Sequence, residues 1–174
     1  MDVSEYNDLI SSTLDSDFAL FFTGDKCPDK EAIESFEVEI KCKLPSDFKV
    51  LISSYLNGFY AEAKEDVWPR KQGGAYWMLQ YALIVYGLDS GLPDWMNLRN
   101  ETKYFRRRTN TNLIPFMRTI SSSEPYCFTQ EGKIMKWDNG LQAAQPVTST
   151  FFDVFKKELM EVQGFKKIAA SGGI

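Results

Sequence analysis

Apolar residues recur every three or four positions along four stretches of the chain, the spacing that buries one face of a helix. The pattern predicts helices over residues 3–14, from Pro28 to about Cys42, from Pro45 to Leu56, and over residues 149–163. Asn57 and Gly58 tolerate a left-handed backbone and are expected to end the third helix. Gly164 is expected to end the last one.

Short apolar runs bounded by turn residues predict strands elsewhere in the chain. The predicted strands are residues 81–86, 112–116, 126–128 and 134–137, with residues 18–22 forming either a strand or a continuation of the first helix. Residues 130–133 are expected to form a hairpin turn, and residues 138–140 a second turn.

Helices first, strands next and a helix last is the order of an α+β fold. We expect a largely antiparallel sheet of about five to six strands with helices packed on it. A chain of 174 residues fits one domain, which we place at residues 1–168. Residues 169–174 lack side chains that could pack, and we expect a flexible tail.

Charge and hydropathy narrow the classes of partner. The net charge of −4 disfavours nucleic acid, whose phosphates require a positive face. The most apolar stretch, residues 75–88, is interrupted by Gln80 and is too short to cross a membrane. The acidic N-terminus does not resemble a secretory signal, and three cysteines without a CxxC spacing fit a reducing compartment. We therefore expect a cytoplasmic protein.

The sequence offers little material for catalysis. It contains no histidine, which excludes histidine-dependent triads and histidine metal sites. Its glycines do not follow a phosphate-binding pattern, and the calcium-loop match at Asp15 fails where Ala19 replaces an oxygen ligand. We expect no cofactor, no metal and no enzyme activity. A hydrolase built on two carboxylates remains open, because a sequence cannot show their separation.

Acidic residues stand beside tryptophans in two places. The candidate partner-binding residues are Glu62, Glu65, Asp66, Trp68, Asp89, Asp94 and Trp95. An exposed tryptophan rimmed by acidic groups would make an interface hot spot. The alternative is a polar loop that leads into a buried tryptophan, since large aromatic side chains are mostly buried.

A basic run with interleaved aromatic residues extends from Lys103 to Arg108. It could contact nucleic acid or an acidic partner. The acidic total favours a solvated loop or a strand edge instead, where positive charge discourages pairing with other chains.

The segment from Leu44 to Ile52, followed by Asn57-Gly58, resembles the "LP-x-D-aromatic … L … NG" signature of the SUKH superfamily. Shorter pieces resemble the same family in the same order, over about residues 29–163: residues 33–37, 113–116, 126–128, 134–137 and 149–155. Leu44, Pro45, Asn57 and Gly58 match the motif as structural residues, which start and stop a helix.

The resemblance implies a sheet flanked by helices, without a cofactor. Bacterial members of that superfamily are commonly immunity proteins, which neutralise a co-encoded toxin, frequently a nuclease. Eukaryotic members, including the yeast cell-wall assembly regulator, resemble regulatory interaction proteins. Our hypothesis is an immunity protein that binds a toxin domain and occludes its active site. The alternative is an intracellular regulatory scaffold.

Overall fold

The computed structural model describes residues 2–21, 26–64, 82–88, 91–119 and 124–170, with side chains as far as residue 164. The helices are α1 (Val3–Thr13), α2 (Lys30–Ile40), α3 (Ser46–Ile52), α4 (Leu98–Thr109) and α5 (Phe151–Ala170). The strands are β1 (Phe18–Phe21), β2 (Phe59–Ala63), β3 (Ala82–Val85), β4 (Ile114–Thr119), β5 (Tyr126–Phe128), β6 (Ile134–Asp138) and β7 (Ala143–Val147).

The strands form one seven-stranded sheet in which each strand pairs with its neighbour in sequence. Every pairing is antiparallel, so the predicted α+β class and antiparallel sheet are confirmed. The strand number exceeds the prediction because β2 and β7 were not foreseen. Strand β7 contains Pro146, which an edge strand tolerates because the proline needs no partner for a backbone N–H.

One face of the sheet packs against α1, α3 and α5 through aromatic rings. Phe116 of β4 stacks on Phe128 of β5 with ring centroids 4.0 Å apart, and Phe48 of α3 lies 5.2 Å from Phe128. Phe155 of α5 meets Phe59 of β2 edge to face at 6.1 Å. These five rings are fully buried and make up much of the main hydrophobic core.

The other face packs against α4. Side chains alternate between the faces along a strand, so Cys127 points away from its neighbour Phe128. Cys127 forms a second, small core with Phe105 of α4 and Trp137 of β6. The two rings meet edge to face at 5.5 Å. The sheet is thus covered by three helices on one side and by α4 on the other.

Glu37 of α2 forms hydrogen bonds that hold the start of α3 in place. Its side chain is 2% exposed and accepts hydrogen bonds from the backbone N–H of Leu44 at 2.8 Å, from Lys43 at 2.7 Å and from Lys49 at 3.2 Å. Burial by itself would raise the pKa of Glu37, but these donors outweigh it and lower the pKa. A buried carboxylate therefore holds the Leu44-Pro45 step, in which Pro45 is the residue before α3.

Three predicted helix boundaries were wrong. Helix α2 begins after Asp29, whose side chain caps it, and not at Pro28. Helix α3 ends at Ile52, five residues before the Asn57-Gly58 pair that was expected to stop it. Helix α5 continues through Gly164 to Ala170, because a single glycine costs an otherwise well-packed helix only about 1 kcal/mol. Residues 171–174 of the predicted tail lie outside the described residues.

Helix α4 replaces the predicted loop or strand edge at residues 103–108. Asn97 caps its start by accepting from the backbone N–H of Arg99 at 3.1 Å, and Asn110 ends it with a left-handed backbone. Its buried side is narrow: Leu98, Thr102 and Phe105.

Within the described ranges, no helix combines the length and the apolar character needed to cross a membrane.

Candidate protein-binding surface

Aromatic rings from two strands and one turn meet on the α4 side of the sheet. Phe21 of β1 and Tyr60 of β2 are register partners, and their ring centroids lie 6.0 Å apart. Trp95, in the turn before α4, meets Tyr60 edge to face at 5.9 Å. Trp95 is 43% exposed and Phe21 is 40% exposed. We call Phe21, Tyr60, Glu62, Asp94 and Trp95 the Trp95 surface.

Glu62 places a carboxylate at the edge of these rings. The Tyr60 hydroxyl donates a hydrogen bond to Glu62 Oε2. Burial and this carboxylate together raise the pKa of Tyr60 well above its ordinary range, so the hydroxyl remains a donor at neutral pH. The hydrogen bond holds Glu62 beside Tyr60, which in turn contacts Trp95.

Backbone hydrogen bonds attach the Trp95 turn to the end of β3. The N–H of Gly87 donates to the carbonyl of Met96 at 3.1 Å, and the N–H of Leu98 donates to the carbonyl of Gly87 at 2.7 Å. Within the turn, the N–H of Met96 donates to the carbonyl of Pro93 at 2.8 Å. Met96 is fully buried, so the turn is anchored from inside while Trp95 faces outward.

Asn57 and Gly58 support this attachment and do not end a helix. Asn57 Oδ1 accepts from the N–H of Leu88 at 2.9 Å, and Asn57 Nδ2 donates to the carbonyl of Lys26 at 3.3 Å. Gly58 has φ +79°, and a Cβ there would lie 2.8 Å from the Gly87 nitrogen. A Cβ on Gly87 would lie 2.4 Å from the Asn57 carbonyl oxygen. The pair therefore packs backbone against backbone beneath the turn.

A cleft of about 490 Å³ opens on the other side of Trp95. It is lined by Asp94, Trp95, Asn100, Glu101, Tyr104, Arg108, Arg118 and Pro125. Asn100, Tyr104 and Arg108 follow one another at helical spacing and form the wall on α4. The opposite wall comes from the turn and from β4, so Trp95 belongs to both the aromatic surface and the cleft.

The polar groups of the cleft differ in how well they are paired. Asp94 Oδ1 accepts from Asn100 Nδ2 at 3.0 Å. In the part of the chain that the structure describes, the buried Nε of Arg118 has no hydrogen-bond partner. Burial raises the pKa of Glu101, although Arg118 and Arg108 act in the opposite direction. An unpaired buried donor and a desolvated carboxylate make this cleft the candidate ligand site among the described residues.

None of the described acidic or cysteine side chains forms a group of three that could hold a metal ion.

The sequence was compared with models of known protein families. The model of the SMI1 / KNR4 family (SUKH-1) matches residues 27–157, more than half of the chain. This protein belongs to the SMI1/KNR4 family. No curated protein matches it at a significant level. The SMI1/KNR4 match runs from just before α2 into α5 and includes the Trp95 turn, α4 and the cleft.

The structure brings together three of the seven candidate residues in this SMI1/KNR4 protein. Glu62 and Trp95 meet through Tyr60, and Asp94 lies next to Trp95 in the turn. The remaining four fall outside the described residues: Glu65, Asp66, Trp68 and Asp89.

Phe21, Tyr60 and Arg118 were not foreseen from the sequence, whereas Tyr104 and Arg108 belong to the basic run that was considered as a partner contact but assigned to a loop or strand edge. The spacing of Asn100, Tyr104 and Arg108 was a usable signal, because it places all three on one side of a helix. The basic character of the run concealed that helix. Tyr60 and Arg118 gave no local signal, since only the sheet register places them near Trp95.

Proposed function

We propose that this protein is an immunity protein, which binds a toxin produced by the same cell and neutralises it by occlusion. The observation that carries the proposal is Trp95, an exposed indole between an acidic aromatic surface and a polar cleft. A few side chains carry most of the binding energy of an interface, and tryptophan is among the residue types most enriched there.

Charge supports a basic toxin, such as a nuclease. The protein carries a net charge of −4, and Glu62 and Asp94 add local negative charge beside Trp95. A nuclease must attract phosphates, so its substrate groove is positive. An acidic surface would be steered to that groove and would associate faster at low salt.

The mechanism requires no chemistry from this chain. The Trp95 surface would cover the toxin's groove, and the rigid sheet beneath it would keep the ordering cost of binding low. In this proposal the protein acts in the cytoplasm, needs no cofactor and is not an enzyme.

Co-expression with the protein encoded by the neighbouring gene tests the function. We expect that protein to arrest growth when it is expressed alone, and this chain to restore growth. Recovery of a stoichiometric partner that is harmless on its own would replace this proposal with the regulatory scaffold.

Variants locate the surface. Trp95→Ala should weaken binding to the toxin by about 30-fold or more, as loss of an interface hot spot does. Leu141→Ala is the matched control, because Leu141 is an apolar side chain with 66% exposure in the β6–β7 turn. Equal affinities of the two variants, measured by calorimetry, would refute the assignment of binding to the Trp95 surface.

A further inference from the structure

The cleft beside Trp95 is lined by Arg118, whose Nε is buried without an acceptor among the described residues. Arg118 lies on β4, in register with Ile84 of β3, which pairs with Tyr60. Because register partners point to the same side of a sheet, Arg118 lies on the same face as Tyr60. Its Nε is buried and has no hydrogen-bond partner within the described ranges. Leaving a buried donor without an acceptor is energetically costly, so this position favours a ligand that accepts hydrogen bonds.

Arg108 supplies a second cation to the same cleft. Its guanidinium carbon lies 5.8 Å from the ring centroid of Tyr104 and 5.5 Å from that of Phe105. Stacking occupies the flat face of a guanidinium and leaves the N–H groups at its edge available to a planar oxyanion. As far as the structure describes the chain, Arg108 and Arg118 form no ion pair.

Three other cations of α4 are engaged elsewhere, and a fourth, Arg107, does not line the cleft. Arg99 and Lys103 form ion pairs with Glu39 of α2. Arg106 donates to the backbone carbonyls of Ile40, Asn112 and Leu113. Arg99 and Arg106 thus attach α4 to the rest of the fold, whereas Arg108 and Arg118 line the cleft.

The acidic groups of the cleft do not satisfy these cations. Asp94 accepts from Asn100. Glu101 forms no ion pair or side-chain hydrogen bond with either arginine among the described residues; burial raises its pKa, and the charges of Arg118 and Arg108 lower it. The guanidinium groups of Arg108 and Arg118 therefore line the cleft without a carboxylate bound to them among the described residues. The rings of Trp95 and Tyr104 form apolar walls, and about 490 Å³ is ample for one amino-acid side chain.

We propose that this cleft receives the carboxylate of an acidic side chain from the protein partner, which Arg108 and Arg118 bind together. This inference rests on the proposed function, since it names one contact that a partner makes beside Trp95. The mixed character of the site fits a partner whose positive groove has an acidic residue at its rim. Arg118 would orient that residue through its Nε, and Arg108 would add a second charge-assisted hydrogen bond.

A titration of the isolated protein tests the cleft without any toxin. The probe is a glutamate residue blocked at both ends, N-acetyl-glutamate N-methylamide, and the control is the blocked glutamine, which differs only in its amide. We expect the Nε–H resonance of Arg118 in ¹⁵N-labelled protein to shift saturably with the glutamate probe. The dissociation constant should be on the order of 1–10 mM, as expected for a single side chain.

Variants tie the shift to the two arginines. Arg108→Gln should weaken binding of the glutamate probe by about fivefold or more, the loss of one charge-assisted hydrogen bond. Arg107→Gln makes the same change in net charge one position away, at an exposed residue that does not line the cleft, and should bind as the unaltered protein does. Arg118→Met lacks the Nε–H resonance, so its readout is the backbone amide shifts of Asn100 and Tyr104. In this variant the glutamate probe should cause no saturable shift of those amides.

Three results would overturn the inference. One is an equal shift with the blocked glutamine, and another is an equal loss of affinity in Arg107→Gln and Arg108→Gln. The third is binding of glutarate at least about tenfold tighter than of the glutamate probe, which would assign the cleft to a small dicarboxylate. Each of these leaves toxin neutralisation untouched, because growth rescue is measured separately.

Discussion

The two faces of the sheet treat their buried polar groups differently. On the face under α5, the buried carboxylate of Glu158 accepts a hydrogen bond from the Tyr126 hydroxyl at 2.6 Å. On the face under α4, three buried polar atoms have no partner in the described part of the chain. They belong to Tyr86, Thr102 and Arg118. A folded protein rarely leaves such groups unpaired unless they serve another purpose, so the α4 face is the one to search for function.

Packing follows the same division. The α5 face is filled by stacked and edge-on rings, among them Phe116, Phe128 and Phe151. The α4 face has a small core around Phe105 and Trp137, and beyond it the open cleft. Stability should therefore depend on one face and recognition on the other.

The largest change in stability should come from the contact between Gly87 and the Asn57-Gly58 pair. In Gly87→Ala, the new Cβ would lie 2.4 Å from the Asn57 carbonyl oxygen and 2.6 Å from the Gly58 nitrogen, both of them backbone atoms. We expect a loss of more than about 4 kcal/mol in the free energy of unfolding, measured by urea denaturation. Gly164→Ala is the control: a Cβ there meets nothing within 4 Å, and alanine in a helix should add about 0.5–1 kcal/mol. A folded Gly87→Ala with unchanged stability would disprove the close approach.

The next effect separates the faces directly. Phe155→Ala removes a fully buried ring from the α5 face and should lower the free energy of unfolding by about 3–5 kcal/mol. Tyr104→Ala, on the cleft wall, should cost less than about 1 kcal/mol because Tyr104 is 50% exposed. Binding of the glutamate probe, expressed per folded molecule, should be weakened more by Tyr104→Ala than by Phe155→Ala. A larger loss of stability in Tyr104→Ala than in Phe155→Ala would reverse the assignment of the faces.

The sequence predicted the α5 face better than the α4 face, and for a physical reason. Aromatic residues at helical spacing and short apolar runs predicted the start of α5 and strand β5. Elements with a well-buried face need apolar residues at a regular spacing, and that spacing is visible in the sequence. Helix α4 buries only three of its twelve residues, so its amphipathic pattern was too narrow to read. Strand β7 reads Ala-Ala-Gln-Pro-Val, which lacks the β-branched and aromatic residues that mark a strand.

The candidate surface was predictable only in part. Asp94 and Trp95 are neighbours in sequence, so an acidic group beside a tryptophan was visible there. Glu62 reaches Trp95 only because Tyr60 bridges them across the sheet, and Arg118 joins through the register of β3 with β4. The role of Asn57-Gly58 as a brace also required the structure, because its partner Gly87 lies far along the chain.

A smaller effect should come from Glu37, a buried carboxylate that is fully paired. Glu37→Gln keeps an acceptor for the Leu44 N–H but removes the charge that Lys43 and Lys49 meet, at a cost of roughly 1–2 kcal/mol. The pKa of Glu37 is lowered in the folded protein, so its carboxylate stabilises the fold above the ordinary value of 4.5. That stabilisation is lost as the pH falls below 4.5 towards the lowered pKa.

Urea denaturation of both proteins across that range measures the Glu37 contribution. The difference in the free energy of unfolding between the unaltered protein and Glu37→Gln should shrink with falling pH. A difference that stays constant between neutral pH and the acid limb would mean that the carboxylate is not paired in the folded state.

The smallest expected change in stability tests the α4 face most directly. If Arg118 is held there for a partner, its unpaired Nε burdens the isolated protein, and an apolar side chain of similar length should relieve that burden. Arg118→Met should leave the free energy of unfolding unchanged or raise it by up to about 1 kcal/mol, while binding of the glutamate probe is lost. Thermal and urea denaturation beside the titration provide the two measurements. Loss of more than about 1 kcal/mol would show that Arg118 stabilises the fold, and the two faces would then not differ in the way their polar groups indicate.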